Sequence, residues 1–425
     1  MLGWRETTLG DVCDEVGGII QTGPFGSQLH ASDYSNAGIP VVMPKDIIEG
    51  RIATETVARV SPEYVERLSR HKLAIGDIVY GRRGDIGRQA LIRKEQQGWL
   101  CGTGCLRLSL GESLLDPLFL HYYLRQESVI GWISNQAIGA TLPNLNTDIL
   151  RSVPVCFPKL PVQQRIAGIL SGYDELIENS QRRIRILEAM ARALYREWFV
   201  HFRFPGDNIL HRVGSPIGDI PADWQVESIA DLCESVSYGY TASAVQEEVG
   251  PKFLRITDIV PDLIDWAAVP FCEIPSEKTP KYLLRPGDIV VARTGATTGY
   301  AKRLNKLHPD TVFASYLVRV RAKPGISNRV LGILMESDEF KQYIKTNIGG
   351  AAQPQANAVV LTSMRVAVPP LSIARNFDRL VEPMIDESEL LAGKIQNLRR
   401  MRDLLLPRLL SSQIDVGRSF RYVTA

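Results

Sequence analysis

The chain has 425 residues, with 49 Lys and Arg against 47 Asp and Glu and a net charge of +2. That balance excludes a general polycation, so any nucleic-acid surface must come from local clusters of basic residues. An apolar content of 45% is that of an ordinary globular protein, and the length exceeds what one core usually serves, so two or more domains are expected.

The opening MLGWRETTLGDV has no basic segment followed by an apolar run, so no signal peptide is read. No stretch approaches the ~20 apolar residues of a membrane helix. A cytoplasmic protein without a membrane partner is expected. Cys13, Cys101, Cys105, Cys156, Cys233 and Cys272 form no CxxC pair, and no Cys/His set has zinc-ligand spacing. They read as buried thiols of a reducing compartment, and no metal is expected.

Short β-branched runs come first, IPVVMP from Ile39 and GDIVYG from Gly76, followed by a helical pattern over 116–133. Next, Leu170, Tyr173, Ile177, Ser180, Ile184, Leu187, Ala191, Leu194 and Trp198 alternate spacings of three and four, the a/d pattern of a coiled coil. The Gly- and Pro-rich stretch 202–224 reads as a linker. Strand-like runs then return, KFLRITDIV from Lys252 and GDIVVARTG from Gly287.

The chain is written twice. Gly76 and Gly287 begin matching phrases 211 residues apart, and Pro143 and Asn146 match Pro354 and Asn357 at the same offset. The helical seam also repeats, as Val381, Met384, Ser388, Leu391, Ile395, Leu398, Arg402, Leu405 and Leu409. Nine equally spaced positions imply two helices of roughly 43 Å able to pack on each other. Pro383 must occupy a first turn or make a kink. The fold class read from these elements is mixed α+β. The expected layout is a globular part at 1–158, a helix at 159–201, a linker at 202–222, a second globular part at 223–369 and a helix at 370–412.

Several phrases together carry a resemblance over nearly the whole length: GPFGSQLHASDYSNAGIPVVMPKDI, NQAIGATLPNLN, LPVQQRIAGILSGYDELIE running into REWFVHFRFPG, and IPADW reopening the second copy. The chain resembles the specificity subunits of Type I restriction-modification systems. The resemblance implies two target-recognition domains separated by two long antiparallel coiled-coil helices. Each domain would read one half of a bipartite double-stranded DNA target. Two methyltransferase subunits would dock on the assembly, and restriction subunits would join it. The second helix departs from the first at its start, because PLSIARNFDRL lacks the counterpart of Gln163 and Gln164.

Catalytic parts are missing from the sequence. There is no GxxxxGK[ST] loop, no NPPY-like tetrapeptide, no FxGxG cofactor loop, no HExxH and no GxSxG. No cofactor and no catalytic residue is expected, and S-adenosylmethionine would belong to a partner. The rival reading is a DNA methyltransferase or nuclease with an unrecognised active site. A third is a coiled-coil scaffold without a DNA role.

What remains suits DNA contact. Arg82, Arg83 and Arg88 surround a Gly-rich turn in the first copy, with Arg93 and Lys94 beyond it. Arg293, Thr294, Lys302 and Arg303 surround the matching turn in the second, with Lys306 beyond it. Arg grips phosphate or pairs with guanine O6 and N7, while glycines allow close backbone approach. A solvated hairpin is the alternative for any one of them. Asn144, Asn146, Gln353, Gln355 and Asn357 carry amides able to pair with adenine, against a loop-capping alternative. Ser27 of GPFGSQ is a phosphate candidate, with a structural turn as the stronger reading. Aromatic residues, 8% of the chain, form no array for stacking single strands.

Overall fold

The computed structural model describes residues 3–54, 57–84, 86–136, 144–205, 211–261, 263–348 and 355–416. The chain divides into two compact units, residues 1–175 with 399–425, and residues 176–398. The boundary falls inside both long helices.

The first unit centres on a four-stranded antiparallel sheet of β1 (Ile19–Thr22), β2 (Ile78–Gly81), β3 (Gln89–Leu91) and β4 (Cys105–Ser109), in the order β1-β4-β2-β3. β2 is buried at all four positions. Ile78 and Tyr80 enter one core with Leu106 and Phe119, while Val79 enters another with Val42 and Ile92. Alternation of side chains along a strand explains why this run lacks polar positions: both faces of the sheet are covered. The long helix α1 (Leu160–Tyr195) follows and ends in a π turn at Arg196–Val200.

The second unit repeats the sheet with β5 (Cys233–Tyr238), β6 (Ile289–Ala292), β7 (Ala301–Arg303) and β8 (Leu317–Ala322), in the order β5-β8-β6-β7. Ile289 and Val291 face one core, and Val290 and Ala292 the other. The chain then enters α2 (Leu371–Leu410).

The shared Gly-Asp before β2 and β6 has a structural cause. Asp77 accepts from the Ala74 N–H at 2.8 Å and from Arg107 Nε at 2.7 Å. Asp288 accepts from the Arg285 N–H at 2.8 Å and from Arg321 Nε at 2.7 Å. Both carboxylates are buried, and a buried charge persists only when it is paired and hydrogen-bonded.

The two helices pack antiparallel. In the second unit Arg183 meets Glu387 at 2.6 Å, while Tyr195 and Phe199 meet Phe377. In the first, Arg402 meets Asp174 at 2.6 Å. The seam positions Leu170, Ile177, Ser180, Ile184, Ala191, Trp198, Val381, Leu391, Ile395, Leu398 and Leu409 are all buried. Ser180 and Ser388 satisfy their hydroxyls on the carbonyls of Leu176 and Met384, one turn back. Thirty-six residues in α1 correspond to about 54 Å, longer than the seam alone implied. Pro383 lies well inside α2 on its exposed side, so the first-turn option is excluded.

Gln163 has a structural role at the start of α1. Its Oε1 accepts from the Asp116 N–H at 2.8 Å, and its Nε2 donates to the carbonyls of Pro158 and Leu114. The position 211 residues on is Ala374, and there Ser327 instead donates to Asp378 Oδ1 at 2.6 Å. The missing glutamine is thus answered by a different tie between the same two elements.

Asp174 is the polar centre of the first unit's helix packing. It accepts from the Tyr122 hydroxyl at 2.7 Å and from Arg402, with Arg125 at 3.6 Å. Burial pushes its carboxyl up, but hydrogen bonds from Arg402 and Tyr122 outweigh that and hold it below the usual carboxylate range. A carboxyl depressed in the folded state adds stability above its unfolded pKa of about 3.9, and that stability is lost as pH falls through the lower folded value. Asp174→Asn should therefore cost about 1.5–3 kcal/mol at pH 7, by removing the carboxylate that Arg402 and Tyr122 bond, while Arg402 keeps Asp403 at 2.9 Å. The deficit should shrink below pH 4 in urea unfolding. A deficit independent of pH would remove the ion-pair account.

Candidate nucleic-acid interface

The two Gly-rich turns leave equivalent sheet positions, after β2 in one copy and after β6 in the other. Arg82 donates its N–H to the Gly104 carbonyl at 2.8 Å, and its own carbonyl accepts from the Leu145 N–H at 2.9 Å. In the second copy Arg293 donates to the Tyr316 carbonyl at 3.0 Å and accepts from the Ala356 N–H at 2.9 Å. One residue on, Arg83 forms a β-bridge with Asn144 and Thr294 forms one with Gln355. Arg82 and Arg293, Arg83 and Thr294, Asn144 and Gln355, and Leu145 and Ala356 keep the 211-residue offset, while Gly104 and Tyr316 stand one residue further apart. Two loops remote in sequence are thereby joined side by side into one ridge in each copy.

The side chains divide into frame and tip. Arg82 is half-buried, and its Nε donates to the Leu145 carbonyl at 3.1 Å, so it props the second loop. Arg293 is half-buried too, with its guanidinium 4.9 Å over the Tyr238 ring and Nη1 reaching the Ser315 carbonyl at 3.4 Å. Arg83, Arg88 and Gln355 are exposed. Gly84 and Gly295 have φ of +84° and +81°, with open space where a side chain would stand. Gly87 and Gly299 serve packing instead, because a Cβ there would press on Ile130 or Ile344. That limits the expectation that the glycines exist for phosphate approach.

Other sequence candidates fall elsewhere. Lys302 and Arg303 lie down β7, paired with Val290 and Ile289, so Arg303 stands about 10 Å along the strand from the turn. Its backbone N–H donates to Glu336, its Nη1 reaches the Leu304 carbonyl and Asn328, and its stem packs on Gly332. Lys306 is tied to Glu382 and Asp386 of α2. Arg303 and Lys306 brace the second unit and leave the ridge. Asn146 and Asn357 are helix N-caps, accepting from the Ile149 N–H at 2.8 Å and the Val360 N–H at 2.9 Å. One lone pair of each oxygen is thus engaged in capping, which is the loop-capping role named as the alternative for these amides. Asn144 is partly buried, and its Oδ1 has no donor among the described residues. Pro143, Gln353 and Pro354 lie outside the described residues.

Ser27 is exposed in a tight turn closed by the Gln28 N–H on the Phe25 carbonyl at 2.8 Å and the Phe25 N–H on Gln28 Oε1 at 3.1 Å. The turn starts beside the ridge, since the Gly23 N–H binds the Cys105 carbonyl next to the one that holds Arg82. The sequence reading missed Tyr316, which is 61% exposed and occupies the position of Gly104. No spacing flags it, because only the matching hydrogen bond to Arg293 reveals the equivalence. Burial pushes His121 down to about 3 and His71 to about 4, so neither adds positive charge at neutral pH. Among the described residues no group of three or more His, Cys, Asp or Glu could hold a metal ion, and no helix is long and apolar enough to cross a membrane.

Residues 1–189 and 221–400 match the family described as Type I restriction modification DNA specificity domain. The Type I restriction enzyme MjaIX specificity subunit of Methanocaldococcus jannaschii is 22% identical over 90% of this chain and 88% of its own. The Type I restriction enzyme HindI specificity subunit of Haemophilus influenzae is 20% identical over 97% of this chain and all of its own. Among solved structures, the Type-I restriction-modification system S subunit from M. genitalium superposes with a TM-score of 0.56 at 16% identity, covering 96% of each chain.

The capping roles are testable. Asn146→Ala and Asn357→Ala should each cost about 1 kcal/mol in urea unfolding and leave any base preference unchanged. A change of base preference without loss of stability would return these amides to the reading surface.

Proposed function

The chain belongs to the Type I restriction modification DNA specificity family, and we propose that it is the DNA-recognition subunit of a methyltransferase and endonuclease complex, without chemistry of its own. The observation that supports this reading is the paired ridge. One backbone frame is built twice at a fixed offset and carries different side chains at its tips. Two like frames with unlike tips suit an asymmetric, bipartite double-stranded target, each half read by one ridge. The scaffold reading leaves that division into frame and tip without a purpose.

Adenine methylation requires the base to leave the stack and enter a pocket with cofactor chemistry. That pocket would lie in the partner methyltransferase subunits, two per chain, with restriction subunits completing the complex. The long helices would dock the partners and set the spacer between half-sites.

The purified chain should neither methylate nor cut DNA, and methyl transfer should appear on adding the methyltransferase subunit with S-adenosylmethionine. Transfer by the chain alone, free of partner, would establish the rival enzyme reading. For the spacer, four residues inserted after Ile184 and four after Ile395 should lengthen each helix by ~6 Å while roughly keeping its buried stripe. The recognised spacer should grow by about two base pairs at 3.4 Å per pair. Methylation mapping in cells carrying the lengthened chain measures this. An unaltered spacer in a folded, active variant would show that the helices do not set it.

A further inference from the structure

The two ridges present different members of the same bridge to solvent. In the first, Arg83 on the hairpin is exposed while Asn144 on the second loop is partly buried. In the second the order is reversed: Thr294 on the hairpin is partly buried and Gln355 on the second loop is exposed. Backbone bonds hold each bridge through the preceding residue on the hairpin and the following residue on the loop. The outer residue therefore projects from a fixed frame, and its alternatives are few.

Resting on the recognition role proposed above, we infer that Arg83 and Gln355 are specificity-determining residues at one equivalent position of the two half-sites. Arg83 reads a guanine and Gln355 reads an adenine. The chemistry follows from the donors and acceptors. A guanidinium offers only donors, which match O6 and N7 of guanine. A carboxamide offers one acceptor and one donor, which match N6 and N7 of adenine. Arg82 and Arg293 are not readers, because their guanidiniums are engaged with the Leu145 carbonyl in one copy and with Tyr238 and the Ser315 carbonyl in the other. They are positioning residues for the bridge.

The test exchanges the two readers. Arg83→Gln and Gln355→Arg are made separately in the full chain and assembled with the methyltransferase subunit. Competition binding is then measured against duplexes substituted one base pair at a time. Both sites are exposed, so folding should survive, and thermal melting confirms it. Arg83→Gln should turn a guanine preference into an adenine preference at one position of one half-site, by about 5- to 150-fold. Gln355→Arg should do the reverse in the other half-site, leaving the first untouched. Arg83→Ala and Gln355→Ala should erase discrimination at those positions only. Unchanged base preference in all four variants would overturn the assignment. So would a loss equal for every sequence with a salt slope smaller by about one, the mark of a phosphate contact. If the unsubstituted complex itself showed no sequence preference, the recognition role would fail first. The two failures are thus distinguishable.

Discussion

Neither long helix can be stable in water without a partner for its apolar stripe. α1 and α2 each carry buried residues three and four apart for several turns, and each places that stripe on the other. In the second unit the contact is aromatic, where Trp198, Phe199 and Phe377 lie 4.8 to 6.4 Å apart by ring centroids. In the first it is partly ionic, through Asp174 and Arg402. The first unit's sheet then completes its core with helices and long-helix ends, as Ile166 and Leu170 do beside Leu106 and Phe119. Antiparallel packing is what permits the chain to be written twice and still close its apolar surfaces.

Much of the fold was legible in the sequence because repetition supplies its own control. The 211-residue offset aligned the GDIV strands, the amide loops and the helical seam, and the structure has the same sheet order in both copies. The resemblance supplied the antiparallel pairing, which periodicity alone left open. The candidate surface was less legible. Basic residues near a turn look alike in sequence, yet Arg83 is exposed, Arg82 props a loop and Arg303 packs along a helix three residues down a strand. Amides near a helix start were open to two readings, and Asn146 and Asn357 both take the N-cap role. Asp77 and Asp288 passed unnoticed because a strand-flanking Asp reads as a turn residue until its cross-strand arginine is seen.

The copies diverge in two separate ways. Frame positions keep their bonds while changing side chains freely: Leu145 and Ala356 both donate a backbone N–H to the preceding arginine's carbonyl. A backbone contact survives most substitutions, so the ridge can vary at its tips without losing its shape. Helix-start positions do the opposite, keeping a tie while replacing both its members, Gln163 and Asp116 in one copy and Asp378 and Ser327 in the other. The first tie uses the Asp116 backbone N–H and the Gln163 side chain, and the second uses two side chains, so the second is the one whose members must change together.

The helix seam shows why the halves, though similar, are not interchangeable. The residue 211 positions beyond Asp174 is Ile385, beyond Tyr122 is Ile333, and 211 before Arg402 is Ala191. A polar triad in the first unit thus corresponds to three apolar residues in the second, where Ala191 is buried beside partly buried Ile333 and Ile385. Were α1 laid the other way along α2, Asp174 would face Ile385 and Arg402 would face Ala191, so the ion pair between the helices would be lost at both ends. Asp174 would keep Arg125 and Arg402 would keep Asp403, so the penalty is on the order of 1.5–3 kcal/mol, a sizeable share of the stability of a domain. The ion pair therefore adds little net stability over an apolar seam, but it penalises the wrong partner for each helix end. It fixes which end of α1 meets which end of α2, a choice that the near-identical apolar spacing of the two seams would otherwise leave degenerate.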